Sequence, residues 1–105
     1  MNIFKLSRVA AAASVACLLV LSTQTVLAAG NGQQLYQKNC VSCHGANGLG
    51  QMKGVPNLAS FDVFSKPDQP LIEVIRSGRN TMPSFLGILN DREIRDVISY
   101  VRTLR

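Results

Sequence analysis

Cys40-Val41-Ser42-Cys43-His44 constrains this 105-residue chain more than any other stretch. Two thiols three residues apart lie on the same side of a helical turn. From there each can add to one vinyl group of a single haem. The next residue, His44, then carries an imidazole under the same porphyrin and can bind its iron. C-x-x-C-H therefore reads as a c-type haem attachment site. Other uses of paired cysteines fit less well. A thioredoxin-like redox pair calls for a βαβ context, and no strand-type alternation of useful length is present. A zinc site needs two more ligands, whereas His44 is the only histidine and Cys17 the only other cysteine. A disulfide between Cys40 and Cys43 would close a tiny loop and stabilise little.

The first thirty residues bear on where such a chemistry would operate. Lys5 and Arg8 precede an apolar run from Val9 to Leu21, then Ser22-Thr23-Gln24-Thr25, then Val26-Leu27-Ala28-Ala29-Gly30. Basic start, apolar middle and small residues at the end are the parts of a secretory signal peptide, with cleavage after Ala28 or one residue later. The four polar residues interrupt the ~20 apolar ones that a spanning anchor needs. Cys17 leaves with this segment; Ser14-Val15-Ala16 before it only partly match a lipoprotein acceptor site. Two segments are thus expected, a cleaved signal over residues 1–28 and one domain over residues 29–105.

A 77-residue domain is marginal on its own apolar core and commonly needs a staple. A haem supplies one, as an apolar plate around which short helices pack. With Lys5 and Arg8 removed, nine cationic side chains face six acidic ones, a balance of +3. Two haem propionates would bring this nearer zero. No basic stripe with interleaved aromatics is present, which argues against nucleic acid as a partner.

Three helices are expected. The first runs from about Gly32 to Cys40 with Asn31 as N-cap, delivering Cys40 into the motif. Gly45, Gly48, Gly50, Gly54 and Pro56 mark the following segment, to Ser60, as an irregular loop. The second helix begins near Gln69 or Pro70, is apolar through Leu71, Ile72, Val74 and Ile75, and stops at Gly78. The third starts with Asn90 as cap, Glu93 as capping-box partner and a Leu89–Ile94 staple. Ile94, Val97, Ile98, Val101 and Leu104 then form one apolar face, with Arg92, Arg95, Asp96, Ser99 and Arg102 opposite.

Iron held by His44 has a second axial position. Met52 and Met82 are the methionines beyond the signal segment. Met52 lies only eight residues past His44, on the loop leaving that side of the haem. Met82 lies between the second and third helices, with enough chain to cross to the opposite face. Pro83 fixes the backbone beside it and biases Met82 away from helix. A lone methionine is more often a core filler, but one before proline in a polar loop is better read as a ligand, so Met82 is favoured.

These residues together resemble a small mono-haem class I c-type cytochrome over nearly all of residues 31–104. Cys40 to His44 matches the attachment motif, and Met82-Pro83 the distal ligand loop. Val55-Pro56-Asn57-Leu58 resembles the segment whose proline carbonyl accepts a hydrogen bond from the ligand histidine's other ring nitrogen. Gly32, Leu35 and Tyr36, with Tyr100, resemble the crossing of the terminal helices. The chain departs in having no tryptophan, which in some relatives binds a propionate. The resemblance implies an all-α cytochrome c fold and one haem c attached through Cys40 and Cys43, with His44 and Met82 on the iron.

A six-coordinate iron leaves no site for substrate, so the implied function is electron transfer and not catalysis. The chain is expected to be a periplasmic one-electron carrier serving redox partner proteins, as a monomer. The alternative is a haem subunit of a dehydrogenase or oxidoreductase complex. Lys38, Lys53, Lys66 and Arg79 could steer an acidic partner, although exposed charges are equally the ordinary state of a surface.

Overall fold

A computed structural model describes residues 24–105 of the chain, with side chains described from Gly30 onward. The expected signal segment, including Cys17, lies almost wholly outside the described residues. The described residues form five helices: α1 Gln24–Asn39, α2 Val41–His44, α3 Phe61–Phe64, α4 Asp68–Ser77 and α5 Asp91–Val101. The described residues form no strand, only an isolated bridge between Arg79 and Met82.

α5 begins where local chemistry dictates. The Asn90 side chain accepts from Glu93 N at 3.0 Å while Asn90 N donates to Glu93 Oε2 at 2.8 Å, closing the capping box. Its apolar face then buries Ile94, Val97 and Ile98, the first completely. α4 contributes Ile72, also completely buried, and Gly78 terminates it with φ 77. Ile72, Phe85, Leu89, Ile94 and Ile98 form the main core cluster, with Leu35, Leu71, Ile75 and Met82 packed against it. At about 1.5–3 kcal/mol for each fully buried aliphatic side chain, this cluster is the main force joining α4 and α5.

The terminal helices cross where Gly32 meets Asp96. A Cβ on Gly32 would lie 2.0 Å from the Asp96 carbonyl oxygen, so no side chain fits there. Tyr36 on α1 packs on Tyr100 of α5, ring centres 5.4 Å apart and tilted by 57°. The crossing expected around Gly32, Leu35, Tyr36 and Tyr100 is therefore formed.

Three expectations about the elements change. Asn31 does not cap α1, which starts at least seven residues earlier, at Gln24, and runs through it. Its amide instead donates to Asp96 Oδ2 at 2.8 Å, a tertiary contact between residues 65 apart. The one-turn helix α3 was not anticipated, and the Asp68 start of α4 is one residue earlier than expected.

Ion pairs tie the ends of α4 to α5. Arg76 reaches both Glu73 on its own helix and, at 2.6 Å, Asp91 at the start of α5. Arg102 reaches Asp68 at 2.6 Å and donates to the Lys66 carbonyl at 3.0 Å. Being largely exposed, such pairs orient the helices more than they stabilise them.

Candidate haem-binding site

Cys40 interrupts the line of α1 with φ −122 and ψ −31, and the chain turns again at once as α2. Backbone bonds from Cys40 N to Tyr36 O (2.8 Å) and from His44 N to Cys40 O (2.9 Å) make this joint rigid. Both cysteines are free thiols and half-buried, carried on this one turn as their spacing demands. Burial, and then the neighbouring Cys43, push the Cys40 thiol up to about 11. A redox-active C-x-x-C pair shows the opposite shift, toward thiolate.

His44 is 9% exposed, and burial lowers its pKa, so the ring is neutral and able to bind a metal. Its Nδ1 is the one buried side-chain nitrogen or oxygen among the described residues without a hydrogen-bond partner. The bond expected from this ring to the Pro56 carbonyl is thus not formed through Nδ1. A buried polar atom left unpaired costs about 1–3 kcal/mol. A fixed, neutral, incompletely partnered imidazole beside two free thiols is the donor set that a covalently attached haem takes up. The residues present fit that group.

The turn carrying His44 is held from behind. The Tyr36 hydroxyl, fully buried, donates to the Gly45 carbonyl at 2.7 Å. The same burial, with lesser contributions from Cys40 and Tyr100, raises the Tyr36 pKa to about 12. Beyond Gly45, Gly50 N donates to His44 O at 2.8 Å and Gln51 N to Cys43 O at 2.9 Å, folding the loop back on the motif. Gly45, Gly48, Gly50 and Gly54 all have positive φ, the irregular backbone expected of this segment.

Met82 and Met52 are in different surroundings. Met82 is half-buried against the core cluster, on the segment joining α4 to α5. Met52 is 51% exposed. Met82 N donates to Arg79 O at 2.9 Å and Arg79 N to Met82 O at 3.1 Å, a narrow closed turn. Sequence reasoning named His44 and Met82 but missed a contact that holds each segment: the Tyr36 hydroxyl on the Gly45 carbonyl behind His44, and the packing of Gly78 on the Met82 backbone. Neither belongs to the C-x-x-C-H spacing or to the Met-Pro pair, so those patterns do not reveal them. Among the described residues no three His, Cys, Asp or Glu side chains converge as a metal cage. Lys38, Lys53, Lys66 and Arg79 are all exposed.

Comparison with known proteins agrees with the geometry. Residues 27–101 match the family described as cytochrome C oxidase, cbb3-type, subunit III. The chain is 37% identical over 90 residues to cytochrome c6 of Thermosynechococcus vestitus, covering 80% of this chain and 79% of that protein. It is 36% identical over 87 residues to the cbb3-type cytochrome c oxidase subunit FixP of Bradyrhizobium diazoefficiens, of which the match spans only 30%. Among solved structures, the KustC0563 c-type cytochrome superposes with a TM-score of 0.63 at 29% identity, over 70% of this chain and 96% of that one. The fold is accordingly the all-α cytochrome c fold, and the cofactor that goes with it is a single covalent haem c. With its free thiol pair, its neutral imidazole and these relatives, the chain belongs to the cbb3-type subunit III family and is a small class I c-type cytochrome.

Proposed function

We propose that this electron-transfer cytochrome is a periplasmic one-electron carrier, with haem attached through Cys40 and Cys43 and iron held by His44 and Met82. The observation that carries the reading is the placement of Met82, half-buried against the core on a closed turn, while Met52 is 51% exposed. When bound, the haem supplies a one-electron iron couple. The chain's residues do the remainder. The two thiols retain the group, and burial keeps His44 neutral and ready to donate. Met82 would supply the second ligand, and with both ligands in place no position would be open to a substrate. A neutral sulfur ligand raises the potential relative to a second histidine. Cleavage after Ala28 would remove residues 1–28 and release the domain over residues 29–105. No described helix is long and apolar enough to cross a membrane.

A second reading is a haem module within an oxidase-type complex. The likeness to part of FixP supports it, as do Phe61 and Leu86, exposed at 77% and 72%. Purification with native partners separates the two: a stoichiometric companion chain supports the module, a monomer in size exclusion the carrier.

The test of the closed site is direct. Potentiometric titration of the holoprotein should follow a single one-electron transition, and the reduced form should not take up carbon monoxide readily at neutral pH. Rapid, full carbon monoxide binding would contradict the carrier mechanism.

A further inference from the structure

The segment between α4 and α5 is fixed at more points than a connecting loop needs. On its far side, Phe85 N donates to Ile75 O at 3.2 Å and Leu86 N to Arg76 O at 3.1 Å. Ser84 Oγ donates to the same Arg76 carbonyl at 2.7 Å. These bonds use carbonyls that the end of a helix leaves without intrahelical partners. On its near side lies the closed turn from Arg79 to Met82. Asn80, at φ 54, is the only non-glycine residue with positive φ among those described. Asparagine tolerates that region; β-branched residues do not. Gly78, at φ 77, completes the clamp. A Cβ there would lie 2.7 Å from Met82 O, 2.8 Å from Ser84 N and 2.9 Å from Pro83 C. All three are backbone atoms, so no side chain can move aside.

We propose that Gly78 and Asn80 are positioning residues for Met82, fixing the backbone from which its sulfur reaches the iron and so governing ligand exchange there. The proposal depends on the reading of Met82 as axial ligand. Gly78 lets the Met82-Pro83-Ser84 backbone pack on the end of α4, and Asn80 lets the turn close. A side chain at Gly78 pushes that backbone outward and withdraws Met82. A β-branched residue at position 80 opens the turn.

An external ligand for ferric iron measures this directly. It binds only when methionine is off, so its apparent affinity is scaled by the fraction of molecules in that state. The ferric holoprotein is titrated with imidazole while the far-red sulfur-to-iron charge-transfer band is followed. Wild type, Gly78→Ala, Asn80→Val, Asn80→Gly and Met82→Ala are compared. Gly78→Ala should bind imidazole at least about tenfold more tightly, a change of about 1.4 kcal/mol. Asn80→Val should shift in the same direction, and Asn80→Gly should stay within about twofold of wild type, since glycine also accepts the conformation. Loss of thermal stability in Gly78→Ala and Asn80→Val with wild-type imidazole affinity would overturn the proposal, leaving both residues a structural role only. If Gly78→Ala fails to fold, the Asn80→Val and Asn80→Gly pair decides alone. A Met82→Ala protein that keeps the sulfur band would overturn the ligand reading itself, a result distinct from failure of the positioning role.

Discussion

Replacing Gly32 by alanine puts a methyl group where the terminal helices touch. Its Cβ would lie 2.0 Å from Asp96 O, 2.6 Å from Asp96 C and 3.1 Å from Tyr100 Cβ. Ordinary van der Waals contact begins near 3.4 Å, so α1 and α5 must separate by more than an ångström. That movement strains the Asn31–Asp96 hydrogen bond, now 2.8 Å, and the Tyr36–Tyr100 pair, now 5.4 Å between ring centres. Overpacking costs about 1–3 kcal/mol, the hydrogen bond about 1 and the aromatic pair about 0.5–1.5. Alanine's better helix propensity returns about 0.5–1 kcal/mol. The net loss is about 1.5–5 kcal/mol, and for a domain of this size about 4–8 °C of melting temperature accompanies each kcal/mol. Thermal unfolding of the holoprotein by circular dichroism measures it. Gly30→Ala is the internal control, because a Cβ there meets nothing within 4 Å. It should leave stability unchanged or raise it by up to about 1 kcal/mol. Equal melting temperatures for the two variants would refute the close crossing.

Three further outcomes are expected. Met52→Ala, at a position 51% exposed, should leave the ferric spectrum of the holoprotein unchanged, whereas Met82→Ala should lose its sulfur band. Tyr36→Phe leaves the buried Gly45 carbonyl without its donor and should cost about 1–3 kcal/mol in chemical denaturation. The buried hydroxyl, raised to about 12 in the fold, contributes stability that is complete below the ordinary tyrosine value and fades as pH climbs toward 12. The Tyr36→Phe protein should therefore lose less stability than wild type over that alkaline range. Asp91 is held below the usual carboxylate range, first by its hydrogen bond from Arg76 and also by the charges of Arg76 and Arg95. Its contribution is present above that range and is lost as pH falls through the depressed value. Melting temperatures of wild type and Asp91→Asn should converge as pH falls below the usual carboxylate range, and a constant gap would contradict the pairing.

What could be read in advance was what is written locally. Asn90 and Glu93 cap α5 through bonds between residues three apart, and Gly78 ends α4 with the backbone angle glycine permits. The attachment motif is likewise a pattern of near neighbours. The start of α1 was misread because Asn31 looks like a cap, yet its amide partner, Asp96, lies 65 residues away. α3 escaped notice since four residues, Phe61–Phe64, cannot display a helical period. The same limit hid the clamp on Met82. Gly78 was legible as a helix stop, but its contact with the Met82, Pro83 and Ser84 backbone exists only once the chain has turned back. The bond from the His44 ring to the Pro56 carbonyl, carried over from the family, is not formed through Nδ1.

The proposed ligation has His44 and Met82 holding a single iron from opposite sides. Iron-edge X-ray absorption of the oxidised holoprotein tests it most directly, in wild type and in Met82→Ala. One sulfur is expected among the iron's nearest neighbours in wild type and none in the variant. A wild-type iron without sulfur, or a Met82→Ala iron that retains it, would contradict the claim.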